Sequence, residues 1–271
     1  MGDERATIHV TLNWLNKSED PVRLENLPDF FKREDKQGES YGKKGGIYFW
    51  IHQGTRERIA YIGEAGCFQD RFLNEGGHIF QVFHGMRSTF ACDGDLLTTY
   101  SKCTGDYSFQ GKGSPYYNSV FGESKSDFEK SAFNWGSPES LKKIVDDPDG
   151  YIRKIQDGIE LSVNYLRKMH FVFAEITHPD AKGKEGGAIR KQIEALFMLK
   201  LLTKRGDKQR WYYDTTPRNA YFWGTVSQYP KNKHYSVNNE GYINTGVLEE
   251  LGLKERQWEL YYDGNKTVDS D

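Results

Sequence analysis

The sequence predicts an α+β chain, and three features carry that expectation. Short stretches of alternating apolar residues mark strands at widely separated places. A strongly periodic helix, "EGGAIRKQIEALFMLKLLTKRG", follows a β-rich run near residue 170. Between the two groups of regular elements lies a Gly/Ser/Tyr/Phe-rich stretch, residues 85 to 145, with little periodicity of either kind. At 271 residues the chain is long enough to bury a sizeable core, in one large or two small domains.

In chain order, "ATIHVTLNWL" alternates and reads as a strand, and "LENLPDFFKRED" as a short helix broken near its proline. The polar, glycine-rich "KQGESYGKKGG" is an entry loop. A hairpin follows. In "GIYFWIH", Ile47, Phe49 and Ile51 fall on one face and Tyr48, Trp50 and His52 on the other. "QGTRER" is the polar connection and "IAYIG" the returning strand. "CFQDRFLNEGG" gives about two helical turns ending at a glycine pair, with Phe68, Phe72 and Leu73 on one face and Arg71 turned aside. After the irregular stretch, "SPESLKKIVDDPDGYIRKIQDGIELSVNYLRKM" has helix-start residues Ser137 and Glu139 and then helical periodicity, interrupted around Pro148. "HFVFAEI" is a buried strand, and the long helix after it carries an apolar stripe of Ile189, Ile193, Leu196, Phe197 and Leu201. Glu194 stands beside that stripe. "NAYFWGTVSQYP" reads as a further strand, and "NTGVLEELGLKERQWELYYDG" as a helix and a closing strand.

Composition excludes some classes. The net charge of -2 argues against a polybasic coat but not against a local basic groove. Aromatic residues make up 14% of the chain, too many for a disordered one. The three cysteines form no CxxC pair and suit a reducing cytoplasm. His78, His84, Cys92 and Cys103 do not have the spacing of a zinc finger or ribbon. No apolar signal core follows the first residues, and no run approaches the roughly 18 apolar residues of a membrane span. The expectation is a cytoplasmic protein.

Four side chains stand out chemically. Two phenols, Tyr48 and Tyr61, lie in the hairpin, a guanidinium, Arg71, on the helix after it, and a carboxylate, Glu194, on the long helix. A guanidinium binds and neutralises phosphate bidentately. A carboxylate holds a hard divalent cation together with waters. A phenol orients or deprotonates an attacking water. The set suits phosphodiester chemistry. The ordinary alternatives are a cross-strand aromatic pair, a solvated helix arginine, and a surface ion pair between Arg190 and Glu194 one turn apart.

The triplet Gly46-Ile47-Tyr48, twelve residues, then Tyr61-Ile62-Gly63, with Arg71 eight positions beyond Gly63, resembles the GIY-YIG nuclease family. "YIGEAGCFQDRF" extends the likeness past the triplets, and "IRKQIEALFMLKLL" is similar to the family's glutamate-bearing helix. The resemblance implies a small antiparallel sheet flanked by helices, and metal-dependent hydrolysis of nucleic acid. It implies that Tyr48 activates water, Tyr61 supports it, Arg71 stabilises the charge on phosphorus, and Glu194 anchors Mg²⁺ or Mn²⁺. His78 fits the family's histidine slot, with His84 as the alternative, and Asn219 is the candidate for its asparagine. Should the long gap displace Glu194, Glu175 or Glu185 stands next in line.

The implied organisation is a nuclease core of residues 45–84 and 168–224, interrupted by an insertion, 85–167, for DNA recognition. Extensions occupy 1–44 and 225–271. Lys204, Arg205, Lys208, Arg210, Arg218, Lys231 and Lys233 mix with Trp211, Tyr212, Tyr213, Tyr221 and Trp223. That mixture suits phosphate neutralisation with stacking on DNA, and a solvated basic face is its plain alternative. Restriction-type members embed recognition in insertions and extensions, as here, with no linker or separate finger. The expected function is therefore a sequence-specific double-stranded DNA endonuclease, working as a homo-oligomer to cut both strands. The alternatives are a structure-selective, homing-type or defence nuclease of loose specificity, and a non-catalytic DNA-binding module.

Overall fold

The alternation in "TIHVTLNW" becomes β1, Thr7–Trp14, which buries Val10, Leu12 and Trp14. The computed structural model describes residues 7–16, 22–53, 57–74, 77–79, 142, 145–178, 183–205, 233–242, 245–254, 256–262 and 267–268. Two compact units make up the chain, Met1–Arg71 with Met169–Asp271, and Phe72–Lys168.

In the first unit a 3-10 turn, Leu24–Asn26, leads into α1, Leu27–Lys32. Pro28 starts this helix instead of breaking it. A proline in the first turn forfeits no intrahelical bond, because the N–H it lacks would have had no acceptor there. The hairpin is β2, Gly46–Gln53, and β3, Glu57–Ala65, followed by α2, Phe68–Phe72. Leu73 does not share the face of Phe68 and Phe72. Those two are fully buried, whereas Leu73 lies past the helix end and is exposed. The chain returns to this unit through β4, Met169–Thr177, and α4, Gly183–Arg205. Then come β5, Lys233–Gly241, α5, Thr245–Leu251, β6, Gln257–Tyr262, and β7, Thr267–Val268. The strand expected at 219–230 lies outside the described residues.

These seven strands form one sheet in the order β3-β2-β4-β1-β5-β6-β7, larger than the small antiparallel sheet expected. It is also mixed, because β1 and β5 pair in parallel. The physical reason is the character of β4. Every residue from Met169 to Ala174 is buried, so the strand needs partners on both sides, β2 on one and β1 on the other. β1 then offers its far side to β5, and the long intervening chain permits the parallel crossover. The fold class is α+β, with a mixed sheet flanked by helices.

Both faces of the sheet are covered. α4 lies against β2 and β3, and α5 against α4 and β3. On that side Ile47, Phe49, Ile51, Val172 and Ala174 meet Ile189, Ile193, Leu196 and Phe197 in the main apolar core. Fully burying an aliphatic side chain of this size contributes roughly 1.5–3 kcal/mol. On the opposite face Phe173 gathers Phe30, Phe31 and Phe68, with ring centroids 5.2, 5.3 and 5.1 Å away. Tyr48 and Trp50 are buried on this second face.

In the second unit residues 145–146 are helical, the helix breaks at Asp147, and α3, Pro148–Arg167, begins at its proline, so the interruption expected around Pro148 is present. Asp147 caps α3, the carboxylate accepting the Gly150 N–H at 2.9 Å. Ser137 and Glu139 lie outside the described residues. Among the described residues no helix is long and apolar enough to cross a membrane.

Candidate active site

Gly46 and Gly63 are held to glycine by packing. The register sets Tyr48 opposite Gly63 on β3 and opposite Phe173 on β4. A Cβ on Gly63 would fall inside the Tyr48 phenol, so that ring lies flat across the edge strand where no side chain stands. A Cβ on Gly46 would likewise run into the backbone at Ala174 and Glu175 of β4. Tyr48 has no exposed surface, so in this structure its hydroxyl does not meet solvent. Tyr61 occupies the register position opposite Trp50, next to a bulge between Trp50 and Ile51.

One residue further along β3, alternation turns Glu64 to the other face, where it pairs in register with Ile47 below α4. Three charged side chains converge on it. Arg71 donates from Nε to the Glu64 main-chain oxygen at 3.3 Å, and its Nη2 lies 3.8 Å from Glu64 Oε1. Arg190, on α4, places Nε 3.4 Å from Glu64 Oε2. The Glu194 carboxyl takes a hydrogen bond from the Glu64 backbone amide. The local order of the chain explains the convergence. Glu64 is the last but one residue of an edge strand, α2 begins four residues later and brings Arg71 back over it, and Arg190 and Glu194 stand one turn apart on α4.

Burial, and then the negative charge of Glu64, push the Glu194 carboxyl up to about 8, against the pull of Arg71. At neutral pH the metal-free Glu194 is therefore largely protonated. To hold a cation this carboxyl must release its proton, so metal binding there would be coupled to proton loss and would strengthen as pH rises towards 8. Mg²⁺ keeps most of its waters and takes one or two protein carboxylates, so Glu194 fits as its anchor. Among the described residues no group of three or more His, Cys, Asp or Glu side chains is placed to hold a metal.

Of the remaining expected residues, the structure accounts for several differently. His78 lies in the second unit, buried and tilted against Phe72 with ring centroids 5.6 Å apart. Glu175, the first substitute for Glu194, belongs to another network. It binds Lys44 at 3.1 Å, and the same ammonium reaches Asp35 at 2.6 Å and Glu39 at 3.4 Å. Burial alone would lower the Lys44 pKa, but bonds to Asp35 and Glu175 outweigh it and hold the ammonium above its ordinary value. Lys204 and Arg205 form the last turn of α4, and Lys233 begins β5. His84, Lys208, Arg210, Arg218, Asn219 and Lys231 lie outside the described residues, and Glu185 falls in the first turn of α4.

Sequence reasoning overlooked Glu64 altogether and weighed Arg190 only as an ion-pair partner of Glu194. The signal for Glu64 was present: a charged residue directly after "YIG", two positions from the apolar Ile62 and so on its face of the strand, demands a partner. Arg190 had no comparable signal, since helix periodicity alone does not say which strand lies beneath it. Comparison with known families, with curated proteins and with solved structures returns no match.

Proposed function

We propose that this chain is a divalent-metal-dependent, sequence-specific endonuclease of double-stranded DNA, with the architecture and chemistry of the GIY-YIG nucleases. The observation that carries the reading is the meeting of Arg71 and Glu194 at Glu64, one residue from the glycine that Tyr48 crosses. The three antiparallel strands β3-β2-β4, with α2 after the hairpin and α4 after β4, support it, since that is the arrangement the resemblance implies. The large second unit between Arg71 and β4 supplies room for target recognition.

In this reading Arg71, nearly half exposed, grips a non-bridging phosphate oxygen and stabilises the charge that develops on phosphorus. Glu194 holds the cation, which when bound supplies Lewis acidity at the phosphate. Tyr48 orients the attacking water and accepts its proton while passing its own hydroxyl proton on to a second water, so the phenol is neutral before and after the step. Because its phenol is enclosed in the resting protein, this step requires the β3 edge to part when DNA binds. Tyr61 supports it from β3. The basic residues from Lys204 to Lys233 hold the DNA backbone, and a homo-oligomer delivers two such sites to the two strands.

The enclosed phenol is also the observation that favours a second reading, a non-catalytic DNA-binding module on the same scaffold. Incubating long, unmodified double-stranded DNA with the protein and Mg²⁺, then resolving the products on a gel, separates the readings. Discrete fragments that vanish on chelation support the site-specific nuclease, and a smear supports the loosely specific one. Intact DNA that is nevertheless retarded by the protein supports the binding module.

A further inference from the structure

Glu64 is gripped from both sides. Arg71 approaches one carboxylate oxygen and Arg190 the other, from helices on either side of the β3 end. Neither approach has the 2.7–2.9 Å length of a tight charge-assisted bond, at 3.8 and 3.4 Å, so the grip is loose. A planar carboxylate straddled by two guanidiniums resembles the two non-bridging oxygens of a phosphodiester in charge and shape.

Two glycines, Gly66 and Gly187, also border the Arg190 guanidinium. A Cβ on Gly66 would stand 3.2 Å from its Nη2, and one on Gly187 3.8 Å away. The first distance is tighter than ordinary packing, so a side chain at Gly66 would shift the guanidinium by a few tenths of an ångström. Arg190 is largely shielded while Arg71 is nearly half exposed, with side-chain exposures of 15% and 44%. One arginine therefore faces the outside, and the other waits behind the carboxylate.

We propose that Arg190 is a second phosphate-binding arginine of this site, and that Glu64 occupies in the empty protein the place between Arg71 and Arg190 that a DNA phosphate takes. The proposal rests on the nuclease reading for its ligand, double-stranded DNA. It assigns Glu64 the part of a resident competitor: a phosphate displaces the carboxylate, and both arginines then bind the phosphate. No bond is made or broken in this exchange. Its consequence is that removing the competitor tightens binding, while removing Arg190 lowers the number of phosphates neutralised.

The test is fluorescence anisotropy of a short labelled duplex in EDTA, titrated at several salt concentrations, with wild type, Arg190→Ala, Arg190→Lys and Glu64→Gln. The slope of log K against log salt falls by about 0.9 for each phosphate that the protein no longer neutralises. Arg190→Ala is expected to lower the slope by about 1 and to weaken binding several-fold. Arg190→Lys restores the slope with intermediate affinity, since the point charge remains and the fork does not. Glu64→Gln, close in shape to the native residue, is expected to bind several-fold more tightly than wild type. Should Arg190→Ala unfold, Arg190→Lys and Glu64→Gln still decide the matter.

An unchanged slope in Arg190→Ala, or weaker or unaltered binding in Glu64→Gln, overturns the proposal. The nuclease reading stands if such proteins still cut DNA with Mg²⁺. Slopes and affinities that change as expected, in a protein that never cuts, support the arginine pair and sink the nuclease reading. A wild-type protein that does not bind the duplex at all overturns both.

Discussion

Replacing Glu194 with glutamine is expected to abolish cleavage and at the same time stabilise the protein. Burial and Glu64 raise the Glu194 carboxyl from 4.5 to about 8, so the native protein retains a proton that the unfolded chain releases. Stability from this group is fully present below about pH 4.5, declines as pH rises towards 8, and levels off above that. At pH 7 the gap from the unfolded value is 2.5 units (7 minus 4.5), which at about 1.36 kcal/mol per unit is about 3.4 kcal/mol. Relaxation and water entry reduce this, leaving an expected gain of about 1–3 kcal/mol for Glu194→Gln at neutral pH. The amide still accepts the Glu64 N–H and no longer ionises. Urea denaturation of both proteins at about pH 5, 7 and 8.5 measures the effect, and the advantage of the variant should widen with pH. A solvated glutamate paired with Arg190 on one helix face would behave oppositely, losing about 0.3–0.5 kcal/mol on substitution. Equal stability at every pH, or a loss in the variant, would refute the reasoning.

Other residues give equally definite expectations. Gly63→Ala forces a Cβ into the Tyr48 ring and should destabilise by about 1–3 kcal/mol. In a double-mutant cycle, Tyr48→Ala in the same chain should relieve part of that cost, with a coupling of about 1 kcal/mol or more by thermal or chemical melts. Tyr48→Phe keeps the ring and is expected to fold with a loss near 1 kcal/mol while cleavage falls by about 10²–10⁴, followed by single-turnover gels. Phe173→Ala empties the centre of an aromatic cluster and should cost about 3–5 kcal/mol in urea titrations. Lys44→Met leaves Glu175 and Asp35 without their shared cation and should lower the urea midpoint near neutral pH. The bond from Lys44 holds the Asp35 carboxyl below its ordinary 3.8. Its contribution is thus present above that pH and lost as the solution is acidified, a loss the Lys44→Met variant should not share.

The local elements were the legible part of the fold. Alternation assigned "GIYFWIH" to two faces, and Ile47, Phe49 and Ile51 do point to the α4 side while Tyr48 and Trp50 point away. The helix stripe of Ile189, Ile193, Leu196 and Phe197 is buried as its spacing requires. Long-range pairing was not legible. Nothing in β1 announces that one of its sides takes β4 and the other β5 in parallel, because pairing preference lies in backbone hydrogen bonds common to every sequence. One proline misled for a related reason. Pro28 read as a breaker, yet it stands in the first turn of α1, where the missing N–H costs nothing, whereas the interruption expected around Pro148 is there, at Asp147. At the candidate site, the order and spacing of Tyr48, Gly63 and Arg71 were plain in the sequence. The pairing of Arg190 with Glu64 was not, because it joins positions 126 residues apart and depends on how α4 lies over the sheet edge.

The most direct test of the account compares wild type, Arg71→Ala and Glu194→Gln on the same double-stranded DNA with Mg²⁺, at matched concentrations of folded protein. The account predicts discrete fragments from wild type, none from either variant, and DNA binding retained by Glu194→Gln. Fragments of equal yield from all three proteins would contradict it, as would intact DNA from wild type in both Mg²⁺ and Mn²⁺.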